Sequence, residues 1–393
     1  MDTLKKTILL SALIIGLFLA IALSPIPKFI RSGDFLAYWS ASYLLSQGEN
    51  FADPQLLQET EQIHSNRNQD YPLMTWNPPW LLVLLLPYAS LPLTRATWIW
   101  FWTNIAMLFA GTMLLWRLVA QKPKTAHLVW VAALVTFIYS PTLITLIMGQ
   151  VNTLVFFGLA LFLYFNDREK QFAAGASLAL TLVKPHLVYI TLPLILLTMW
   201  KKRRLNVLTG LATALLLLTA VALFLRPTLL QDYGNTIANS NLIFFLPATL
   251  SGFLTGTIGW QWSKFALLIT LPIAIILWSR WRKDIDLYSL VSISLFASLI
   301  TSPFGWSYDF IVLLIPILQM VAWLAEREYS RWQTWLFVSL LIAINAVSFA
   351  QRLTGVNEMY YFWMPIALSI VYAMMYWKRK SRTTPPSVDL IAR

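Results

Sequence analysis

Apolar segments long enough to cross a lipid bilayer recur along this chain. A helix needs about 20 predominantly apolar residues to span the hydrocarbon core. On this measure the sequence predicts twelve spans, at residues 7–27, 95–117, 126–147, 151–166, 171–184, 186–200, 205–225, 263–280, 287–302, 308–325, 332–350 and 360–377. Because backbone polar groups inside a bilayer must be satisfied within the spanning segment, these spans must be helices. The predicted fold class is therefore an all-α polytopic membrane protein with about twelve transmembrane helices.

One further apolar segment, residues 79–92, does not fit this series. It is too short to span a bilayer alone, it contains Pro87, and prolines stand at both of its ends. Such a segment is expected to re-enter the membrane or to lie at its interface, packed against protein. Residues 1–380 are predicted to form a single transmembrane domain, and residues 381–393 a disordered cytoplasmic tail.

The charged residues predict how these spans are oriented. If the N-terminus is cytoplasmic, the inside loops collect 21 of the 29 basic residues but only 8 of the 17 acidic ones. The outside segments then hold 8 basic and 9 acidic residues. Basic residues are enriched in the cytoplasmic loops of membrane proteins. We therefore expect a multi-pass protein of the cell (inner) membrane with both termini in the cytoplasm and with two long extracytoplasmic loops, 28–78 and 226–262.

Composition narrows the classes of function. Apolar residues make up 58% of the chain and charged residues only 12%, which excludes an ordinary soluble domain. The net charge of +12 is accounted for by the inside loops, so membrane lipid is an expected partner and nucleic acid is not. Cysteine is absent, and His64, His127 and His186 lie far apart in the sequence. Neither a metal site nor a cofactor is predicted.

An acidic residue lies just beyond the first predicted span, on the outside. Asp34 is followed by apolar residues at helical spacing, among them Trp39 and Tyr43, up to Gly48. The pattern predicts an amphipathic helix lying flat on the outer membrane surface, with Asp34 at its N-terminal end. The helix dipole favours a carboxylate there, and an ionised carboxylate can accept a proton from a hydroxyl nucleophile. The alternative is that Asp34 only caps the helix.

A cationic group is predicted on the same side. Lys184 follows a span and precedes the helix-breaking Pro185, with His186 next to it. A lysine at that depth needs an anion, because an unpaired charge near the hydrocarbon is costly. A lipid-linked phosphate of the outer leaflet would serve, bound by Lys184 and His186 and, more weakly indicated, by Arg31. The alternative is a lysine whose ammonium group merely extends to the interface.

Neutral polar and aromatic residues lie at the other outside turns. Amides and hydroxyls can donate and accept hydrogen bonds to sugar hydroxyls, and aromatic rings can stack on sugar faces. The candidates for binding a sugar or an acceptor are Gln150, Asn152, Trp76, Asn77, Trp306, Tyr308 and Asp309. Ordinary polar span ends and interfacial aromatic belts are the alternative explanation. The acidic pair Asp284 and Asp286, in a basic inside loop, is interpreted as loop charge.

Several short motifs follow one another in an order that is similar to a known family. They are Gly33-Asp34-Phe35, Asn77-Pro78-Pro79, Gly149-Gln150-Val151-Asn152, Ala174-Gly175 followed by Lys184-Pro185, and Ser302-Pro303 with Trp306. Over roughly residues 30–310, the chain resembles the polyprenyl-phosphate-mannose-dependent mannosyltransferases of glycosyltransferase family 87, a branch of the GT-C superfamily. It departs from the family pattern at Asn77, where tyrosine is common, and at Tyr308, where histidine is common.

The resemblance implies a GT-C-like fold and an extracytoplasmic hexosyltransferase. Such an enzyme moves a sugar, usually mannose, from a polyprenyl-phosphate donor to a hydroxyl of a glycolipid or glycan acceptor. Asp34 would be the base of a metal-independent inverting displacement, and Lys184 would stabilise the leaving phosphate. A lipid-linked-glycan ligase or flippase is an alternative. A multi-span transporter is another, although transporters usually carry ionisable residues within their spans.

Overall fold

The structure, a computed structural model, describes residues 30, 31, 33–65, 67, 69–238 and 245–383. These residues form helices joined by turns and loops, without a β-strand among them. The α-helices are α1 Asp34–Ser46, α2 Pro54–His64, α3 Trp80–Ala89, α4 Leu93–Val119, α5 Pro123–Ala126, α6 Val129–Ile138, α7 Ser140–Met148, α8 Asn152–Asp167, α9 Gln171–Leu178, α10 Thr191–Lys201, α11 Leu205–Leu225, α12 Leu229–Ala238, α13 Leu250–Ile258, α14 Ser263–Ala266, α15 Thr270–Trp281, α16 Leu287–Thr301, α17 Leu314–Ala325, α18 Arg331–Leu353 and α19 Trp363–Thr383. The 3-10 segments are Ala179–Val183, Pro185–Leu187, Leu267–Ile269, Ser307–Leu313 and Glu358–Tyr361.

The lengths of these helices bear on the predicted number of spans. In the described residues, six helical stretches are long and apolar enough to cross a membrane: Leu93–Val119, Leu205–Leu225, Ser263–Trp281, Ser307–Ala325, Arg331–Leu353 and Glu358–Ser381. The bent pair of α6 and α7 would make a seventh. The other predicted spans, and part of the 79–92 segment, are shorter apolar helices. The predicted number of twelve is therefore not confirmed. The first predicted span, 7–27, lies outside the described residues.

The 62° bend between α6 and α7 has an identifiable cause. Pro141 cannot donate a backbone hydrogen bond, and its ring clashes with the preceding turn. The side chain of Asn345 on α18 bonds the backbone at the break. Its Oδ1 accepts from the Ser140 N–H at 2.8 Å, and its Nδ2 donates to the Ile138 carbonyl at 3.1 Å. Backbone irregularity at membrane depth is tolerated where protein groups replace the lost bonds in this way.

By contact density the chain forms two compact units. Within the described residues, the first unit takes 30–106, 144–151 and 217–238, and the second takes 107–143, 152–216 and 245–383. Helix α19 extends to Thr383, three residues into the predicted tail, and residues 384–393 lie outside the described residues.

Helix α1 corrects one of the predictions. The sequence suggests a helix with one apolar face on the membrane surface, but ten of its thirteen residues are buried, including Ser40 and Ser42. The reason is tertiary packing, because α1 lies against α2 and α3 within the first unit. Ser42 tolerates this burial by donating its hydroxyl to the Tyr38 carbonyl at 2.7 Å. The prediction of a flat surface helix is wrong, whereas the helix itself and the place of Asp34 at its start are confirmed.

The long loop that follows α1 contains a buried ion pair. Arg67 bonds Glu61, and both side chains are almost fully buried. The Leu73 N–H also donates to Glu61 at 3.0 Å, and Arg67 donates to the Tyr71 carbonyl at 2.9 Å. Burial raises the pKa of Glu61, although Leu73 and Arg67 act in the opposite direction. These contacts tie Arg67, Tyr71 and Leu73 to the C-terminal part of α2.

In the second unit, glycines allow three helices to approach closely. A Cβ at Gly158 of α8 would lie 2.8 Å from the Ser177 carbonyl and 3.2 Å from Thr181. A Cβ at Gly175 of α9 would lie 1.9 Å from the Val207 carbonyl on α11. Small residues of this kind let membrane helices pack backbone to backbone. The close packing fixes α8 and the 171–183 stretch as an antiparallel hairpin.

Candidate active site

Asp34 is the first residue of α1, and the N-cap position belongs to Gly33. The Asp34 carboxylate accepts a hydrogen bond from the Gln150 side-chain amide, which lies 116 positions away in the sequence. An acidic residue in the first turn of a helix is favoured by the helix dipole. The structure therefore places Asp34 at the predicted end of the helix, but with a partner from another part of the chain and outside the N-cap position.

Gln150 is fixed by a second hydrogen bond. Its Oε1 accepts from the Tyr38 hydroxyl at 3.0 Å, and the side chains of both residues are buried. An amide whose oxygen accepts this bond must present its N–H groups on the other side. Tyr38 therefore orients the amide so that it donates to Asp34. No role is predicted for Tyr38 from the sequence. It lies four positions after Asp34, and every pair of residues on one face of a helix can have this spacing, so the spacing does not single it out.

Gly149 allows this arrangement to form. It adopts a left-handed conformation with φ of 65°, and a Cβ there would lie 2.7 Å from the Phe35 Cβ. The Trp100 indole donates to the Gly149 carbonyl at 2.8 Å and stacks on Phe35 with ring centroids 5.7 Å apart. Only glycine fits a position that is both left-handed and this close to a neighbouring helix. The turn thus brings Gln150 to the start of α1.

Lys184 lies between two 3-10 segments in the second unit and is paired with Asp309. The ammonium nitrogen is 2.9 Å from the Asp309 carboxylate, and the two side chains are only 6% and 0% exposed. The other Asp309 oxygen accepts the Trp306 N–H at 2.8 Å. The Lys184 nitrogen also lies 5.0 Å from the centroid of the Tyr308 ring. An anion for Lys184, which the sequence requires, is thus present in the chain itself.

Asn152 and His186, at this end of the unit, each carry polar side-chain atoms that are shielded from solvent. Both amide atoms of Asn152 and the Nε2 of His186 are shielded from solvent and make no hydrogen bond within the described residues. Because α8 and the 171–183 stretch are antiparallel, with Gly158 against Ser177 and Thr181, Asn152 belongs to the same end of the hairpin as Lys184. Buried polar groups without partners are rare and costly.

Aromatic and charged residues lie next to Asp309 in the sequence or are bonded to its neighbours. The rings of Trp306 and Tyr308 are stacked, with centroids 6.2 Å apart and planes within 6°. The Ser307 N–H between them donates to Glu358 at 2.8 Å, and Arg352 bonds Glu358 at 2.6 Å. Glu358 is not among the residues predicted from the sequence. Its only sequence signal is an acidic residue six positions after Arg352 in a short outside turn.

The remaining candidates are distributed between the units. Arg31, Trp76 and Asn77 belong to the first unit with Asp34 and Gln150, whereas Asn152 and His186 belong to the second. Arg31 is half-buried and makes a long bond of 3.4 Å to the Thr94 hydroxyl. The Trp76 carbonyl accepts from the Tyr233 hydroxyl at 3.2 Å. The structure therefore forms one polar cluster around Asp34 and another around Lys184.

Comparison with known proteins decides the family. Over residues 75–303, more than half of the chain, the sequence matches the model of glycosyltransferase family 87. The chain belongs to glycosyltransferase family 87. It is accordingly a multi-pass membrane glycosyltransferase. No curated protein and no solved structure matches it significantly.

The family match covers only part of the two clusters. Gln150, Asn152, Lys184 and His186 lie inside the matched segment, whereas Asp34 precedes it and Asp309 follows it. The family match therefore does not extend to Asp34 or Asp309. No group of three or more His, Asp or Glu side chains suited to a metal ion occurs in the part of the chain that the structure describes.

Proposed function

We propose that this glycosyltransferase moves a sugar, mannose in the first instance, from a polyprenyl-phosphate donor to an acceptor hydroxyl on the extracytoplasmic face. The observation that carries the proposal is the buried Lys184, with the unpartnered polar atoms of Asn152 and His186 at the same end of its unit. A buried cation at the same end of a unit as unsatisfied donors and acceptors matches a phosphate linked to a hydroxyl-rich sugar. Membership of glycosyltransferase family 87 supports a transfer reaction over transport.

Lys184 would bind the donor phosphate, and Asp309 would hold the ammonium group of Lys184 in place. A phosphate is a second anionic partner for the ammonium group, and a charge-assisted contact is about twice as strong as a neutral hydrogen bond. Asp309 is fully buried and already bonded on both oxygens. We therefore assign it to holding Lys184 rather than to the sugar, for which the sequence suggested it. His186 and Arg31 remain proposed contributors to phosphate binding.

The sugar would be bound by the neutral residues. Asn152 offers one acceptor and two donors, and a sugar hydroxyl would satisfy groups that the protein leaves unbonded. The stacked pair of Trp306 and Tyr308 provides an aromatic face for the sugar ring. Gln150, Trp76 and Asn77 remain candidates for the acceptor, since they share the unit of Asp34.

Asp34 would act as the base of a single displacement. It takes the proton of the acceptor hydroxyl, the oxygen forms a bond to the anomeric carbon, and the bond from that carbon to the phosphate oxygen breaks. The electron pair of the broken bond leaves with the polyprenyl phosphate, whose charge Lys184 stabilises. Attack opposite the leaving group inverts the anomeric configuration. No step in this scheme uses a metal ion.

Asn152→Leu tests the proposal in a purified preparation. The assay follows release of polyprenyl phosphate from radiolabelled polyprenyl-phosphate mannose, with and without a chelator. If the amide binds the sugar, the leucine variant remains folded but uses the donor about 10- to 100-fold less efficiently, the cost of one lost polar contact. An amide without a ligand predicts a different result, because replacing an unsatisfied buried group by an apolar one of similar size should stabilise the protein and preserve turnover. Wild-type turnover in the variant, or loss of activity with a chelator, would contradict the scheme.

A further inference from the structure

Trp306 and Tyr308, which we call the aromatic pair, lie on a turn whose residues alternate in exposure. Both rings are half-buried, whereas Ser307 between them and Asp309 after them are buried. The planes of the two rings agree to within 6°. Because only Ser307 separates the two residues in the sequence, the relative orientation of the rings depends on how the backbone at Ser307 is held.

Ser307 is held at both of its polar groups by one ion pair. Its N–H donates to the Glu358 carboxylate at 2.8 Å, and its hydroxyl accepts a hydrogen bond from the Arg352 guanidinium. Arg352 also donates to the other oxygen of Glu358 at 2.6 Å. A guanidinium can hold two partners at once because its N–H groups form a rigid fork. Ser307 and the ion pair therefore form a closed set of three contacts.

This ion pair has a defined place in the second unit. Arg352 lies in the last turn of α18, and Glu358 begins the 3-10 segment Glu358–Tyr361. The Arg352 guanidinium is 4.5 Å from the centroid of the buried Tyr361 ring, within the distance of a cation–π contact. The two charged side chains are only 25% and 23% exposed, so water screens their attraction less than at an open surface. The ion pair thus ties the turn to the end of α18.

We propose that Arg352 and Glu358 are positioning residues for the sugar of the donor, because they fix Ser307 and thereby the aromatic pair. The inference rests on the proposed function, in which these rings stack on the sugar. The proposed phosphate ligand, Lys184, is held by Asp309 instead, at 2.9 Å. Loss of the Arg352 and Glu358 pair should therefore weaken recognition of the sugar while recognition of the phosphate persists.

The test measures binding of two ligands that differ only in the sugar. Purified full-length protein in detergent receives radiolabelled polyprenyl-phosphate mannose or polyprenyl phosphate, and thermal unfolding is followed in parallel. Glu358→Ala removes the acceptor of the Ser307 N–H. It should weaken binding of the mannose donor about 2- to 12-fold, the range that an aromatic contact is worth, and leave binding of polyprenyl phosphate unchanged. Ser307→Ala loses only the hydroxyl that Arg352 bonds, so it should stay folded and show a smaller effect in the same direction.

Glu328→Ala is the matched control for the loss of an ion pair. Glu328 pairs with Arg379 at 2.7 Å, and the two side chains are 19% and 32% exposed. The Arg379 guanidinium also lies over a ring, 5.4 Å from the centroid of Trp323. This pair belongs to the same unit but to segments that the charges predict to be cytoplasmic. The control should lose thermal stability as Glu358→Ala does and bind the mannose donor like the wild type.

The outcomes separate this inference from the proposed function on which it rests. Unchanged binding of the mannose donor by both Glu358→Ala and Ser307→Ala would overturn the positioning role alone. An equal loss of both ligands in Glu358→Ala would also overturn it, since the ion pair would then act on the phosphate or on folding. The same would follow if Glu328→Ala weakened donor binding to the same extent. A wild type that does not bind polyprenyl-phosphate mannose would overturn the proposed function as well.

Discussion

Within the described residues, Asp34 is bonded by the neutral amide of Gln150, whereas Lys184 is paired with the charged side chain of Asp309. The Gln150 amide donates a hydrogen bond to Asp34 and brings no charge of its own. The carboxylate of Asp309 compensates Lys184 fully, which allows a cation to remain at a buried position. The two residues should therefore respond differently to substitution.

Asp34→Asn should abolish most turnover while the protein stays folded. Asparagine keeps the shape of the side chain but cannot take up a proton, and general base catalysis is typically worth about 10²–10⁴-fold. The measurement is release of polyprenyl phosphate from labelled donor, with donor binding followed separately. Asp70→Asn, at an exposed acidic residue of the same loop, is the matched control. Turnover of the Asp34 variant within about threefold of wild type would rule out Asp34 as the base.

Lys184→Ala should impair both folding and use of the donor. Removing one member of a buried ion pair leaves the other charge uncompensated, at a cost of about 3–5 kcal/mol. A double variant separates the two effects. Lys184→Gln with Asp309→Asn replaces the ion pair by two neutral amides that can bond each other, so it should recover the thermal stability of the wild type. It should still lack affinity for the donor phosphate. Recovery of donor affinity together with stability would show that Lys184 has only a structural role.

Among the helices, the contact between α9 and α11 is sensitive to a single methyl group. Gly175→Ala would place a Cβ 1.9 Å from the Val207 carbonyl, and overpacking of this kind costs about 1–3 kcal/mol. Gly234→Ala in α12 is the matched control, because a Cβ there meets nothing within 4 Å. Relative to glycine, alanine inside a helix is favoured by about 0.5–1 kcal/mol. The temperature of thermal unfolding in detergent should therefore fall for Gly175→Ala and rise for Gly234→Ala. Equal shifts of the two unfolding temperatures would contradict the close contact.

Hydropathy predicts where the helices lie but not how they pack. Each span predicted from residue 95 onward coincides with helical structure, because apolar length alone specifies a helix in a bilayer. Helix α1 is mispredicted as one-sided because the spacing of its apolar residues does not reveal the neighbouring helices, which bury its serines as well. The pairs of Asp34 with Gln150 and Lys184 with Asp309 join residues more than 100 positions apart. No local pattern encodes such pairs, so each candidate could be found from the sequence but its partner could not.

For the whole molecule, the charges make a prediction about the orientation of the chain in the membrane. The distribution of basic residues predicts that Glu59 and Gln261 face the outside and Arg203 the cytoplasm. All three positions are exposed, and the protein has no cysteine of its own. Single cysteines at Glu59 and Gln261 should react with a membrane-impermeant maleimide on intact cells, and a cysteine at Arg203 only after permeabilisation. The reverse labelling pattern would place the proposed reaction on the cytoplasmic face of the membrane.

The bond between Asn345 and the break at Ser140 has a consequence for biosynthesis. A ribosome delivers the break about 200 residues before Asn345, and domains form in the order in which they are synthesised. Until α18 emerges, the Ile138 carbonyl and the Ser140 amide cannot obtain the bonds seen in the finished protein. The early helices must therefore wait in a protected setting, such as the insertion machinery or a hydrated crevice. Helix α18 thus supplies hydrogen bonds to a part of the chain that is made much earlier. A nascent protein arrested before α18 would keep two unbonded backbone groups at this break and would expose them to quality-control proteases.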